Sequence, residues 1–560
     1  MQHRPLPDTC KSWWIDTVFL LLVLGGLFFI LLGARPLFVP DEGRYAEIAR
    51  EMVASHDYVT PYLNNIKYFE KPILFYWLET TAINIGGLNL WSLRSVNALL
   101  GLLGCLLTYY TARKLYDRTT GLLSAVILGT SALYFVMAHM ISLDLPVTVF
   151  LTATLYGFLL GQAEPPGNKR RFYLWGAAAA AALALLTKGL IGIVFPVIVI
   201  GAWIMLMGEW RLLKRLYLPS CIIIFLLIAM PWHVLVDWRN PEFFYFYVIE
   251  QHFLRYTSED IGHYQPVWFF VPCLIAGFFP WIVFLLQAIA ANISLSWRLR
   301  RNYQVEIFLL LWALLIFAFF SFSKSKLIPY ILPVFPPLAI LTGRYLTEGL
   351  TQKYQRGIKA GFTVLVILAI AIAGLFYIFT QNTVLPGPTT AKITLRLAGA
   401  ILILGAILGC LYAYRHRVGS AIFTIIMTAW LFLLTVLAAM PSIDARTILP
   451  LAVIINPILT PQDEVITFNQ YYQDLPFYLK RHVTILNWRN ELTYGMQHQD
   501  TSEWMIDDNA FWQRFHSNKR VFVIMSDREY ENLHLHHPKE KFYLLGKTIN
   551  NVLISNQATH

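Results

Sequence analysis

The sequence predicts a polytopic α-helical membrane protein, with about 13 transmembrane helices, further helices in its exterior loops, and a small C-terminal α/β domain. Three observations carry that expectation. Of the 560 residues, 57% are hydrophobic and 14% charged, against roughly 45–50% and about 25% in soluble globular proteins. Apolar runs near the ~20 residues needed to cross a ~30 Å hydrocarbon core recur as far as residue 440. Residues 441–560 then turn polar and carry short β-branched and aromatic runs. A soluble enzyme, a disordered chain and a fibrous protein are excluded.

The candidate spans run near 15–33, 92–112, 119–138, 143–162, 172–187, 189–207, 216–236, 266–291, 304–323, 327–346, 358–380, 394–413 and 419–440. Thr187-Lys188-Gly189 breaks a stretch too long to cross once. Basic clusters occupy every second connection: Arg113/Lys114/Arg118, Lys169/Arg170/Arg171, Arg211/Lys214/Arg215, Arg298/Arg300/Arg301, Arg344/Lys353/Arg356/Lys359 and Arg415/Arg417. The positive-inside rule puts them in the cytoplasm. The N-terminus is then inside and the C-terminal tail outside. Most of the net charge of +11 is thereby an orientation signal, and nucleic-acid binding falls. The first span is too long for a signal-peptide core and lacks a small-x-small cleavage site, so it should stay as an anchor. Five scattered cysteines, Cys10, Cys105, Cys221, Cys273 and Cys410, fit neither metal-ligand spacing nor a disulfide framework.

Three elements are expected outside: loops 34–91 and 237–265, both belonging to a membrane domain of residues 1–440, and the tail 441–560. Strand-like runs Val465–Tyr471, Val483–Trp488, Val521–Met525 and Lys541–Leu545 mark the tail as α/β. No internal repeat is evident, which weakens an inverted-repeat transporter.

The candidate site residues concentrate at that exterior face. In Pro40–Met52, Tyr45, Ile48, Ala49, Met52 and Val53 form one helical stripe, suited to lying in a bilayer interface with its apolar side down. Asp41 and Glu42 at its start either favour the helix dipole or serve chemistry. Tyr68-Phe69-Glu70-Lys71-Pro72 reads either as an interfacial ion pair or as a phosphate ligand, Lys71, beside a metal-binding or hydrogen-bonding Glu70. Asp144 or Ser142 can cap the fourth span, and a carboxylate there can equally face a site. His252 and Arg255 lie three apart on one helical face, and a neutral imidazole with Glu70 can ligate a divalent cation. Lys324 and Lys326 stand in an exterior turn where the positive-inside rule disfavours them, which suggests anion contacts. Together these groups point to a phosphate-handling site at the outer face.

Pro40–Met52, Tyr-Phe-Glu-Lys-Pro at 68–72, Leu-Asp at 143–144, Thr-Lys-Gly at 187–189, Pro-Trp at 231–232, Glu-x-His-x-x-Arg at 250–255 and Lys-x-Lys-Leu at 324–327 occur in this order. They resemble the bacterial lipid A aminoarabinose transferases, class C membrane glycosyltransferases related to protein O-mannosyltransferases. The resemblance covers roughly residues 10–440; the tail matches the family's periplasmic domain only in position and length. It implies transfer of 4-amino-4-deoxy-L-arabinose from undecaprenyl phosphate to a lipid A phosphate, at the periplasmic face of the inner membrane, without a nucleotide cofactor. By the same matching, Asp41 is the essential acid and Asp144 a second carboxylate facing the same cavity. Lys71 and Arg255 hold the donor's phosphate, Tyr68, Tyr330 and Arg44 belong to the donor pocket, and Glu70 with His252 binds zinc or another divalent metal. Relatives that move another sugar onto lipid A, core oligosaccharide or protein share the Asp-Glu-x-Arg-Tyr run. A sugar-lipid transporter is the rival of another class, but it would place its ionisable residues mid-span rather than in exterior loops.

Overall fold

The computed structural model describes residues 10–254, 264–292, 297–381, 389–443 and 446–558. They fall into two compact units: those within Met1–Leu32, Arg94–Thr383 and Thr389–Ala439 make the first, and those within Gly33–Leu93 and Met440–His560 the second. The first exterior loop thus clusters with the tail, not with the membrane helices as its place in the sequence suggested.

The first unit is helical. Among the described residues, eight helices are long and apolar enough to cross a membrane, or ten if two bent pairs each count as one span. That is fewer than about 13, although every expected run is represented by helix. Arg118–Gly129 and Ala132–Ala138 meet at 67°, where the hydroxyls of Thr130 and Ser131 donate to the carbonyls of Val126 and Ile127 and draw the backbone out of its ladder. Val267–Gly277 and Ile282–Asn292 meet at 104°, with Pro280 at the break. Three runs are curtailed. Asn168–Lys188 carries four charged side chains and ends at Gly189, whose φ of +87° permits the turn. Ile191–Met207 follows with only 17 residues. Pro329 and Pro333 hold Ile328–Val334 in a 3₁₀ turn, so the next α-helix, Phe335–Leu350, keeps 16 residues.

Buried polar groups pin this bundle. Asp16, buried in the first helix, accepts from Tyr109 (2.8 Å), Arg113 (2.9 Å) and Arg118 (2.6 Å). Arg113 and Arg118, read above as part of an orientation signal, are therefore also a helix clamp. The indole of Trp281, fully buried, donates to Thr130 Oγ1 at 2.9 Å.

The second unit is built from the loop and the tail. Strands β1 (Tyr62–Leu63) and β2 (Ile66–Lys67) form an antiparallel hairpin, turned by Asn64 and Asn65, both at positive φ, as a two-residue hairpin turn requires. In the tail, β3 (Glu464–Phe468), β4 (Thr484–Leu486), β5 (Met505–Ile506), β6 (Val521–Ser526), β7 (Tyr543–Lys547) and β8 (Asn551–Ser555) form one sheet in the order β5-β4-β3-β6-β8-β7. Strands β5, β4, β3 and β6 run parallel, and β8 and β7 close the edge antiparallel. β3 and β8 are buried along their whole length, as strands covered on both faces should be. The four expected strands are present with shifted ends; β5 and β8 are additional.

The loop is sewn into this domain. The Asn64 side chain donates to Val483 O and accepts from Val483 N, both at 2.9 Å, and Leu37 N donates to the Tyr478 hydroxyl at 2.8 Å. The Asp41–Ser55 helix packs against the Leu74–Gly86 and Leu475–Leu479 helices. Its polar Glu42, Glu47, Arg50 and Glu51 are buried along with its apolar stripe. It does not float with one side in an interface; from Glu42 to Met52 its polar side is enclosed as well, Arg44 in part.

Candidate active site

The second unit gathers the first cluster. Pro40 precedes the Asp41–Ser55 helix, and Asp41 and Glu42 fill its first turn, where the dipole favours acids. The two acids part company there. Glu42 is buried, accepts the Phe38 N–H at 2.7 Å and pairs with Arg35 at 2.7 Å, so it is the helix starter. The Asp41 side chain is 50% exposed, its carboxylate 3.3 Å from Arg44 Nη1. Arg44 in turn pairs through Nη2 with Glu491 of the tail, itself held by Gln473 at 3.1 Å. Burial works against the charge on Arg44, but Tyr68, Glu491 and Asp41 around it more than offset this and raise its pKa. Burial likewise raises Glu491 above the usual carboxylate range, against the pull of Arg44.

Around this pair stand Tyr68 and Tyr76, both fully buried. Burial first, and then the nearby acids Glu70 and Glu491, push both phenols well above their ordinary value, so each keeps its proton. Neither hydroxyl has a hydrogen-bond partner among the described residues, and nor does Arg44 Nε. A buried donor left unpaired costs about 1–3 kcal/mol. Three together, beside a charged guanidinium, suit a ligand rich in acceptor oxygens, such as a sugar or a phosphate ester. Tyr45 sets one wall, edge-on to Phe75 at 6.0 Å and tilted against Tyr76 at 6.3 Å.

The first unit holds a second cluster. Ser142 Oγ accepts the Asp144 N–H at 3.1 Å and donates back to the Asp144 carboxylate at 3.2 Å, so the serine holds both the helix start and one carboxylate oxygen. That carboxylate pairs with Lys188 at the end of the Asn168–Lys188 helix, and the Lys188 ammonium lies 4.6 Å from the centre of the Tyr330 ring. Asp144, Lys188 and Tyr330 thus meet from three separate segments.

The other expected residues divide. Glu70 and Lys71 are half-buried in the second unit, with Glu70 close enough to act on Tyr68 and Tyr76. Lys324 is exposed. Lys326 is buried and donates to the carbonyls of Gln265 (2.7 Å) and Ser323 (2.5 Å), so two of its three N–H groups tie the turn together and only one is left for an anion. His252 lies in the Tyr245–Leu254 helix, with its side chain outside the described residues; Arg255 lies outside them altogether. Among the described residues no three metal-ligating side chains come together. Three participants escaped the sequence reading. Glu491 lies in a polar stretch with no motif. Tyr76 sits unremarked in the aromatic stretch after Pro72. Lys188 stood in the Thr-Lys-Gly motif and at the break between two spans, with no role given it.

The chain is similar to several known proteins. The family model "Dolichyl-phosphate-mannose-protein mannosyltransferase" matches residues 18–247, and "Aminoarabinose transferase C-terminal domain" matches residues 451–556. The undecaprenyl phosphate-alpha-4-amino-4-deoxy-L-arabinose arabinosyl transferase of Pectobacterium carotovorum is 30% identical over 92% of this chain and 94% of its own. The enzyme of the same name from Proteus mirabilis is 34% identical over 60% of each chain. In solved structures, ArnT from Cupriavidus metallidurans bound to undecaprenyl phosphate superposes with a TM-score of 0.86 at 29% identity, covering 98% of this chain and 99% of that one.

Proposed function

From the premise that the chain belongs to the undecaprenyl phosphate-alpha-4-amino-4-deoxy-L-arabinose arabinosyl transferase family, we propose that it moves 4-amino-4-deoxy-L-arabinose from undecaprenyl phosphate to a phosphate of lipid A. The reaction takes place at the periplasmic face of the bacterial inner membrane, with the N-terminus cytoplasmic. The chain is a multi-pass membrane glycosyltransferase. The observation that carries the reading is the set of three unpartnered buried donors, Tyr68 Oη, Tyr76 Oη and Arg44 Nε, a cradle without occupant partners that matches the oxygens of a sugar phosphate.

In the proposed reaction a lipid A phosphate oxygen attacks the anomeric carbon of the donor. The bond from that carbon to the undecaprenyl phosphate oxygen breaks, and its electron pair stays on the departing phosphate. No proton moves, because both phosphates are already ionised. A direct displacement inverts the anomeric centre. Lys71 and Arg255 stabilise the charge that grows on the leaving phosphate, which costs least from preorganised cations. Asp41 needs no role as a base here. Half-exposed and steadied by Arg44, it positions the acceptor or meets the donor's amine. Tyr68 and Tyr76 remain hydroxyl donors at any working pH.

Glu70 and His252 supply the carboxylate and imidazole that zinc accepts. A metal there would neutralise phosphate charge.

Purified Asp41→Asn and Lys71→Ala should each lose transfer by roughly a hundredfold or more with unfolding temperature unchanged; near-normal turnover would reject those roles. His252→Ala should lower zinc in elemental analysis. Cells lacking the gene should lose the aminoarabinose mass from lipid A and become more sensitive to polymyxin.

A further inference from the structure

We propose that a cavity of about 640 Å³ in the second unit is a separate subsite for a phosphate-bearing saccharide of the acceptor glycolipid. None of Arg44, Tyr68, Tyr76 or Glu491 lines it. The inference rests on the acceptor named above and deepens it.

Five basic residues from three segments line this cavity: Arg50 from the Asp41–Ser55 helix, Lys67 from β2, and Lys480, Arg481 and His482 ahead of β4. Two acids, Glu51 and Asp57, share its wall, and both already serve the backbone. The carboxylate of Glu51 accepts the Asn65 N–H at 3.0 and 3.2 Å. Asp57 Oδ1 accepts from Val59 N at 2.9 Å and Thr60 N at 3.2 Å. Arg50 forks onto Glu47 at 2.6 and 2.7 Å. Arg481, by contrast, donates to the neutral carbonyls of Thr460 and Asp463, which leaves its charge uncompensated.

His482 reports the local field. Burial and then the charges of Arg50 and Arg481 push its imidazole down to about 4, so the cavity repels a proton. Burial penalises either charge, but the Arg50 and Arg481 part of that shift is a positive field, which favours an anion. Its size falls in the roughly 300–1,000 Å³ range of small-molecule sites, which is room for a sugar ring as well as a phosphate. Ser55, Tyr62, Asn65 and Gln499 on its wall offer hydroxyl and amide groups for sugar oxygens.

The test compares equilibrium binding of bisphosphorylated lipid A, fully dephosphorylated lipid A and inorganic phosphate to the full chain in detergent. The wild type should prefer the phosphorylated form by about tenfold or more, as expected of charge-assisted contacts. Lys67→Gln/Lys480→Gln should lose that preference, and Lys67→Arg/Lys480→Arg should keep it. A double glutamine variant that folds normally and retains the preference overturns the subsite. So does inorganic phosphate that displaces the lipid in the same concentration range, since the site would then take a free anion. Transfer is assayed separately. A wild type that shows the charge-dependent preference but transfers no sugar to lipid A rejects the proposed function and leaves the subsite standing.

Discussion

Asp41 and Glu42 are adjacent acids in the same helical turn, and by position they are interchangeable. What separates them is which side chain the fold encloses: Glu42 meets Phe38 N and Arg35, while Asp41 stays half in solvent beside Arg44. The phenols extend this logic to a prediction. Tyr68 and Tyr76 bury hydroxyls without partners, so the folded protein without ligand carries their desolvation cost. Tyr68→Phe and Tyr76→Phe should leave stability equal or higher by up to about 1 kcal/mol, yet lower transfer roughly tenfold or more. Thermal unfolding and kcat measured on the same preparations decide it; a clear loss of stability would mean the hydroxyls already have partners. Glu51 supports a pH prediction. Burial, reinforced by neighbouring Glu47, raises its pKa well above 4.5. A buried acid raised in this way stabilises the fold fully below its unfolded pKa, and the stabilisation is lost as pH rises through the folded value. His482, pushed down to about 4, acts in the opposite sense but only between about pH 4 and 6.5. Stability should therefore fall as pH rises above about 6.5 toward the folded pKa of Glu51, by at most about 1.4 kcal/mol per pH unit for each proton, seen as a falling unfolding temperature. Glu51→Gln should flatten that fall, and an unchanged slope would assign it to other groups.

At the scale of elements, the Asp41–Ser55 helix shows why sequence pattern stops short. Its apolar stripe was legible and correct, and Tyr45, Ile48, Ala49 and Met52 are buried. The pattern did not reveal that the polar side is buried too, because its partners, Glu491, Gln473 and the Leu475–Leu479 helix, come from the far end of the chain. Gly43 records how close that approach is: a Cβ there would stand 2.6 Å from Asp474 N and 2.8 Å from the Gln473 carbonyl carbon. Those are backbone atoms that cannot swing away. Gly43→Val should destabilise the second unit by about 1–3 kcal/mol or more, seen as a lower unfolding temperature and faster proteolysis of the loop. Wild-type stability in that variant would mean the helix and tail pack less tightly than this. The membrane runs were likewise all found as helix. The number long enough to span was not legible, because hydropathy does not register the bends at Thr130-Ser131 and Pro280 or the 3₁₀ turn at Pro329 and Pro333.

For the whole molecule, the resemblance in the first 330 residues supplied most of the groups that the proposed site uses: Asp41, Arg44, Tyr68, Glu70 and Lys71 lie in one compact unit, Asp144 and Tyr330 in the other. Missing were the groups whose importance is purely spatial. Glu491 sits in no motif, and only contact with Arg44 distinguishes it from any polar surface residue. Lys188 stood in the Thr-Lys-Gly motif without a role, and its pairing with Asp144 follows from helix packing.

The stitching of Asn64 to Val483, partners 419 residues apart, also sets a timetable. At roughly 5–20 residues per second, the ribosome needs roughly 20–80 s after making the first partner before it makes the second. Throughout that interval Arg44 lacks Glu491, Gly43 lacks the backbone it packs against, and the hairpin has no strand end to hold. The cradle for the sugar donor is therefore among the last features of the newborn chain to mature, and an unfinished polypeptide, however well its early helices have inserted, has no completed cradle in which to engage its lipid substrate.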